Sequence, residues 1–145
     1  MNAPQPQISL RVVIQRLRRH ESRGVPEVDL WMAGPSSVFR RITGILDTGC
    51  PTTLLTVDTA GLLQLPRLRN EPSVQRTAWG RVAVVPSRVL VRFAARETPP
   101  LVVLLPVSFP LREGAPTLDI NLFGADLCNV FSVSTDRNAV SFSAY

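Results

Sequence analysis

The sequence predicts an all-β domain carrying one or two short helices. Three observations predict it: short runs in which apolar and polar residues alternate, thirteen prolines in 145 residues, and turn clusters recurring between the runs. A chain of this length encloses a single hydrophobic core. No internal repeat, low-complexity tract or second domain interrupts it. The expected organisation is a loose Pro- and Gln-rich tail over residues 1–7 and one folded domain over residues 8–145.

Residues 8–15 alternate in part, as do residues 28–32. The cluster Ala33-Gly34-Pro35-Ser36-Ser37 turns the chain, so the segments on either side suggest a hairpin. Residues 38–46 form the next expected strand, ending on Ile45-Leu46, and residues 52–55 a shorter one. Residues 58–65 suit a helical turn, with Asp58 as its cap and Leu62, Leu63 and Leu65 facing inward. A polar loop spans residues 66–72. Residues 74–78 and 82–85 read as two arms of a hairpin with Trp79-Gly80 near its tip. Residues 88–94 alternate, and residues 101–109 read as a more continuously buried strand. After a loop over residues 110–117, residues 118–123 lead into Gly124, and a short helix fits 125–129. Two closing strands fit 130–134 and 139–143, joined by the turn Thr135-Asp136-Arg137-Asn138.

Composition removes several function classes. The net charge of +5 rests on sixteen basic residues, all arginine. They are spread along the chain, clustering only at residues 16–19 and at Arg40-Arg41, and aromatic residues are not interleaved with them. That distribution fits a solvated basic surface, so no nucleic-acid partner is expected. The greasiest stretch, residues 101–111, is broken by Pro106 and Pro110, so no membrane span is expected. The first residues lack a charged start followed by an apolar core, which makes the cytoplasm the expected compartment and Cys50 and Cys128 reduced thiols. The one histidine, His20, lies in an arginine-rich stretch. A single histidine argues against zinc chemistry and against a cysteine protease built on Cys50; no metal or other cofactor is expected.

The informative segment is Ile45-Leu46-Asp47-Thr48-Gly49-Cys50-Pro51-Thr52-Thr53-Leu54-Leu55. Two apolar residues deliver an aspartate to the end of a buried strand. Thr48 and Gly49 turn the chain sharply, and Thr53-Leu54-Leu55 returns it to the core. The pattern suits a carboxylate held in a fixed pose. Gly49 permits a tight backbone and leaves its N–H free to bond the acid. The Thr48 hydroxyl can bond a backbone group across an interface, and the packed neighbours lock the loop.

These residues resemble the retropepsin-like aspartic proteases, the single-domain relatives of retroviral protease. Asp47-Thr48-Gly49 and the later Thr53-Leu54-Leu55 match that family's catalytic loop in type and spacing. Ile120-Asn121-Leu122-Phe123-Gly124-Ala125-Asp126-Leu127 resembles its distal apolar pair before a glycine, whose strand threads behind the loop. Thr77-Ala78-Trp79-Gly80-Arg81-Val82 resembles its flap hairpin. The resemblance runs from residue 40 to residue 135, most of the domain.

The resemblance implies a closed or folded β-barrel acting as a C2 homodimer, and an aspartic endopeptidase. Such an enzyme needs two carboxylates sharing one proton, one to activate water and one to polarise the scissile carbonyl. This chain has one Asp-Thr-Gly; Asp58-Thr59-Ala60 lacks the glycine and sits too close to be a second lobe. The second acid would therefore come from a second copy. On this reading Asp47 of each subunit shares the base and acid roles, Thr48 braces the partner's loop, and Gly49 bonds the carboxylate or substrate. Thr77, Ala78, Trp79 and Gly80 would close as a flap over an extended peptide or protein substrate. Thr53, Leu122, Phe123 and Gly124 would support the loop, and residues 141–145 are candidates for the dimer seam.

Cys50 departs from the family, where Ala or Ser is usual, and a thiol is a weak donor to support Asp47. Trp79 is bulky for a flap tip. Asp126 reads as a helix-start or ion-pairing residue rather than a catalytic acid. Two other readings compete: a turn aspartate at Asp47, and a catalytically silent dimerisation or peptide-binding module on the same fold. Loss of cleavage in Asp47→Asn separates the proteolytic reading from both.

Overall fold

A computed structural model describes residues 7–11, 13–16, 24–47, 49–77, 80–95, 98–111, 118–135 and 139–144, with side-chain detail over 27–47, 49–77, 80–93, 101–111 and 118–127. The chain runs β1 (Gln7–Arg11), β2 (Val13–Arg16), β3 (Gly24–Ala33), β4 (Arg40–Leu46), β5 (Thr53–Leu54) and α1 (Val57–Leu63). It continues through β6 (Ser73–Thr77), β7 (Gly80–Ala95), β8 (Thr98–Pro110), β9 (Asn121–Phe123), α2 (Ala125–Val130), β10 (Phe131–Thr135) and β11 (Ala139–Ala144). The expected all-β class with two short helices holds. No helix among the described residues is long and apolar enough to cross a membrane.

Alternation decides which side of each strand faces in. Val28, Leu30 and Met32 of β3, and Val89, Val91 and Phe93 of β7, are buried at every second position. They meet Leu105 and Val107 of β8, Phe123 of β9, Leu55, Leu63 and Leu127 in the main core. Each such side chain taken fully out of water contributes about 1.5–3 kcal/mol before the ordering entropy is subtracted.

The larger sheet follows the order β2-β3-β4-β9-β5-β8-β7-β6. A further antiparallel pairing sets Trp31, Met32 and Ala33 of β3 against Arg92, Val91 and Leu90 of β7. That contact returns the sheet on itself, so β3, β4, β9, β5, β8 and β7 form a closed barrel while β2 and β6 lie outside the ring. Closure satisfies the backbone groups that an open edge would leave bare.

Several local expectations differ from the structure. The run over residues 8–15 divides into β1 and β2, which pair with β11 and β3 in different sheets. Alternation reports a strand but not its partner. Gln7 belongs to β1, opposite Ser143. The strand expected from residue 38 begins at Arg40. Residues 82–85 and 88–94 belong to one strand that runs through Pro86. The Pro86 carbonyl accepts from the Leu68 N–H rather than from β8. Its missing N–H therefore faces away from the β8 ladder and breaks no bond there.

Helix α1 is capped by Thr56, not Asp58. Thr56 is the last extended residue (φ −68°, ψ 160°), and its hydroxyl accepts from the Thr59 N–H. Asp58 falls in the first turn, Leu63 points inward as expected, Leu65 is half-buried and Leu62 is exposed.

A separate three-stranded sheet has the order β1-β11-β10. β11 is therefore flanked on both sides, and Ser141–Ala144 offers no free strand edge for the seam expected there.

Candidate active site

β4 ends at Leu46, paired in parallel with Phe123 of β9, and the Asp47 N–H continues that contact by donating to the Phe123 carbonyl at 2.9 Å. The chain then turns: the Cys50 N–H donates back to the Asp47 carbonyl at 3.1 Å. Within this turn the Gly49 N–H donates to Asp47 Oδ1 at 3.0 Å. A Cβ on Gly49 would lie 3.2 Å from the same oxygen, closer than side-chain carbons ordinarily sit. The half-buried carboxylate of Asp47 is thus held at the end of a core strand by a donor that only a small residue delivers cleanly.

The return limb is braced from behind. β9 lies between β4, to which it is parallel, and β5, to which it is antiparallel through Leu54 and Leu122. Leu122 and Phe123 are fully buried and divide between two core clusters. Gly124 then passes so close that a Cβ there would lie 2.5 Å from the Cys50 carbonyl oxygen and 2.8 Å from Thr52. The next N–H, that of Ala125, donates to the Cys50 carbonyl at 2.7 Å.

Thr53 is completely buried. Its N–H donates to Asp126 Oδ2 at 2.8 Å, its hydroxyl donates to Asp126 Oδ1 at 2.6 Å, and that hydroxyl accepts from the Gly124 N–H at 3.1 Å. Asp126 Oδ1 also accepts from the Leu127 N–H at 2.8 Å, in the first turn of α2. Asn121 ties the flanks together, accepting from the Thr56 N–H at 2.9 Å and donating to the Thr43 carbonyl at 2.9 Å.

Cys50 is buried, and its thiol donates to the Thr52 carbonyl at 3.1 Å. Burial pushes this thiol above its ordinary range, and the nearby charges of Asp47 and Asp126 add to the rise. The hairpin of β6 and β7 meets the loop here. Gln75 Nε2 lies 3.6 Å from Cys50 Sγ, and Val82 and Val84 pack in one cluster with Cys50, Ile45, Leu54 and Leu122. At the hairpin's end Thr77 opposes Gly80, and the Thr77 hydroxyl donates to the Gly80 carbonyl at 2.9 Å. Gly80 has φ +112°, a conformation open to glycine at little cost.

The structure thus brings Asp47, Gly49, Thr53, Leu122, Phe123 and Gly124 to one place and sets the Thr77–Gly80 hairpin on the same flank. Thr48, Ala78 and Trp79 lie outside the described residues. Asn121 and Gln75 were absent from the expected set of site residues; Asp126, expected as a helix-start or ion-pairing residue, does stand in the first turn of α2, and its bonds to Thr53 were not expected. The signal for Asp126 was a carboxylate two residues after a glycine, beside a distant buried threonine; nothing local pairs the two.

No protein-family model matches the sequence, and no curated protein matches it. Among solved structures, the crystal structure of a retropepsin-like aspartic protease from Rickettsia conorii matches with a TM-score of 0.55. The match covers 99% of this chain and 97% of that chain at 16% identity. The chain has a retropepsin-like fold. At this identity the likeness speaks for the fold alone.

Proposed function

We propose that the chain is an aspartic endopeptidase working as a homodimer, with Asp47 of each copy in one shared centre. The observation that carries this reading is the setting of Asp47: a half-buried carboxylate at the end of a core strand, with Gly49 N–H on Oδ1 at 3.0 Å and the chain braced by Leu122-Phe123-Gly124.

One carboxylate cannot carry out the reaction alone. A water attacking a peptide carbonyl needs a base to take its proton, and the carbonyl oxygen needs an acid to hydrogen-bond the developing charge. Two carboxylates at close range resist double ionisation and share one proton, which supplies base and acid from one residue type. Symmetry about a two-fold axis provides the second copy of Asp47. Thr48 would brace the partner's loop, and Gly49, beside the carboxylate, would also reach a bound peptide. The Thr77–Gly80 hairpin, with Ala78 and Trp79 at its tip, would close over an extended substrate as a flap. Thr53 and its partner Asp126 act as positioning residues. For the seam, the outer strands β1 and β10 are the open edges of the three-stranded sheet, and a second copy adding there would extend it.

The test is cleavage of a diverse peptide mixture by wild type and Asp47→Asn between acid and neutral pH. We expect cleavage by wild type and a loss of at least about 100-fold in the variant, the usual scale for a general acid–base group. Unchanged cleavage by Asp47→Asn would overturn the acid mechanism. If wild type cleaves nothing, the silent dimerisation or peptide-binding module replaces it.

A further inference from the structure

Seven large hydrophobic side chains are exposed among the described residues, and three of them, Trp31, Val102 and Leu104, gather on one outer wall of the barrel with 43% to 56% of their surface exposed. Register places them together. Trp31 of β3 lies opposite Arg92 of β7, Arg92 opposite Val102 of β8, and Leu90 opposite Leu104. Phe39, just before β4, touches the same arginine. Arg41 also pairs with Trp31, so the wall lies about 20 Å along β4 from Asp47 at a strand's rise per residue.

Arg92 is held between two rings. Its Cζ lies 4.8 Å from the centroid of Phe39 and 5.5 Å from that of Trp31. Its Nε is buried with no hydrogen-bond partner. No carboxylate pairs with Arg92 among the described residues. The wall's own acids, Glu27 and Asp29, lie farther along β3, and Asp29 already accepts from the Thr43 hydroxyl at 2.6 Å with Arg41 Nε at 3.9 Å. The two rings lie within cation–π distance of the guanidinium, and its Nε is shut off from water. A guanidinium so ordered loses little further freedom on gripping a carboxylate with two parallel bonds, and its apolar surroundings strengthen that bond.

We infer that this wall docks a partner polypeptide segment in which acidic and aliphatic side chains stand together. Arg92 takes a carboxylate, and Trp31, Val102 and Leu104 take the aliphatic side chains. Charge decides the sign of the partner. Arg41 and Arg88 are exposed around the patch, in a chain of net charge +5. Exposed tryptophan and arginine are also the residue types that carry most binding energy at protein interfaces. A second copy of this chain is the poorer occupant, because a two-fold contact would set one basic wall against another. The inference does not depend on proteolysis.

The test uses ¹⁵N-labelled Asp47→Asn protein, so that no turnover at the proposed centre intrudes, titrated with three capped tetrapeptides. Glu-Leu-Glu-Leu should move the Trp31 indole N–H and the amides of β7 and β8 saturably. Lys-Leu-Lys-Leu and Glu-Ser-Glu-Ser should bind at least tenfold more weakly. Arg92→Gln, with an otherwise unchanged spectrum, should weaken the first peptide at least tenfold, and so should Arg92→Lys, which cannot reproduce the planar fork. Equal binding of the lysine peptide, or indifference to Arg92→Gln, overturns the inference. So does movement of the same resonances on dilution without peptide, which would make the wall a contact between copies of this chain.

Discussion

At Cys50 a single side chain separates this loop from its likeness to the family. The sequence suggested a weak donor serving the Asp47 carboxylate, whereas the thiol donates to the Thr52 carbonyl and faces Gln75 of the hairpin. Its raised pKa, caused first by burial and then by Asp47 and Asp126, keeps the sulfur protonated and slow as a nucleophile. In a Cys128→Ala background, iodoacetamide at pH 8 should label Cys50 at least about tenfold more slowly than a free cysteine peptide. Gln75→Ala removes a donor that favours the thiolate and should slow the labelling further; equal rates for protein and peptide would contradict the burial. The sign for stability follows from linkage. A folded-state pKa above the ordinary value of 9.0 stabilises fully below that pH, and the contribution fades as pH rises through the folded value.

Among the elements, the two halves of the site meet through one carboxylate. Asp126 accepts two hydrogen bonds from Thr53 in β5 and one from Leu127 in α2. Asp126→Ala would leave the buried Thr53 N–H and hydroxyl without acceptors, and should cost about 3 kcal/mol in urea unfolding, the scale for charged hydrogen bonds lost inside a protein. Asp126→Asn keeps one carbonyl acceptor and should cost less. A loss within error for Asp126→Ala would mean that the brace is redundant. Element ends were harder to read than element types. Thr56 rather than Asp58 caps α1 because its own N–H is held by Asn121 Oδ1, from a residue sixty-five positions away. No local pattern carries that information.

For the molecule as a whole, the sequence carries one Asp-Thr-Gly, so activity on the proposed reading is a property of pairs. Wild type mixed with a tenfold excess of Asp47→Asn and allowed to exchange should keep about a tenth of its activity, since random pairing leaves few wild-type dimers. Activity proportional to wild type alone, unaffected by the excess, would show that one chain suffices. Specific activity should also fall on dilution, with sedimentation reporting dissociation in the same concentration range.

Strand character, the inward face of β3 and β7, and the loop at Asp47 were legible in the residues, because alternation and turn chemistry act over a few positions. Asp47 and Gly49 share a hydrogen bond two residues apart, which is why that part of the site was readable as a motif. The pairing of β3 with β7, the division of residues 8–15 between two sheets, the bond from Thr53 to Asp126 and the ring-held Arg92 were not readable. Each joins residues far apart in the chain. Their contact depends on how the whole sheet curls and closes, a matter of shared burial and backbone satisfaction that no short window contains.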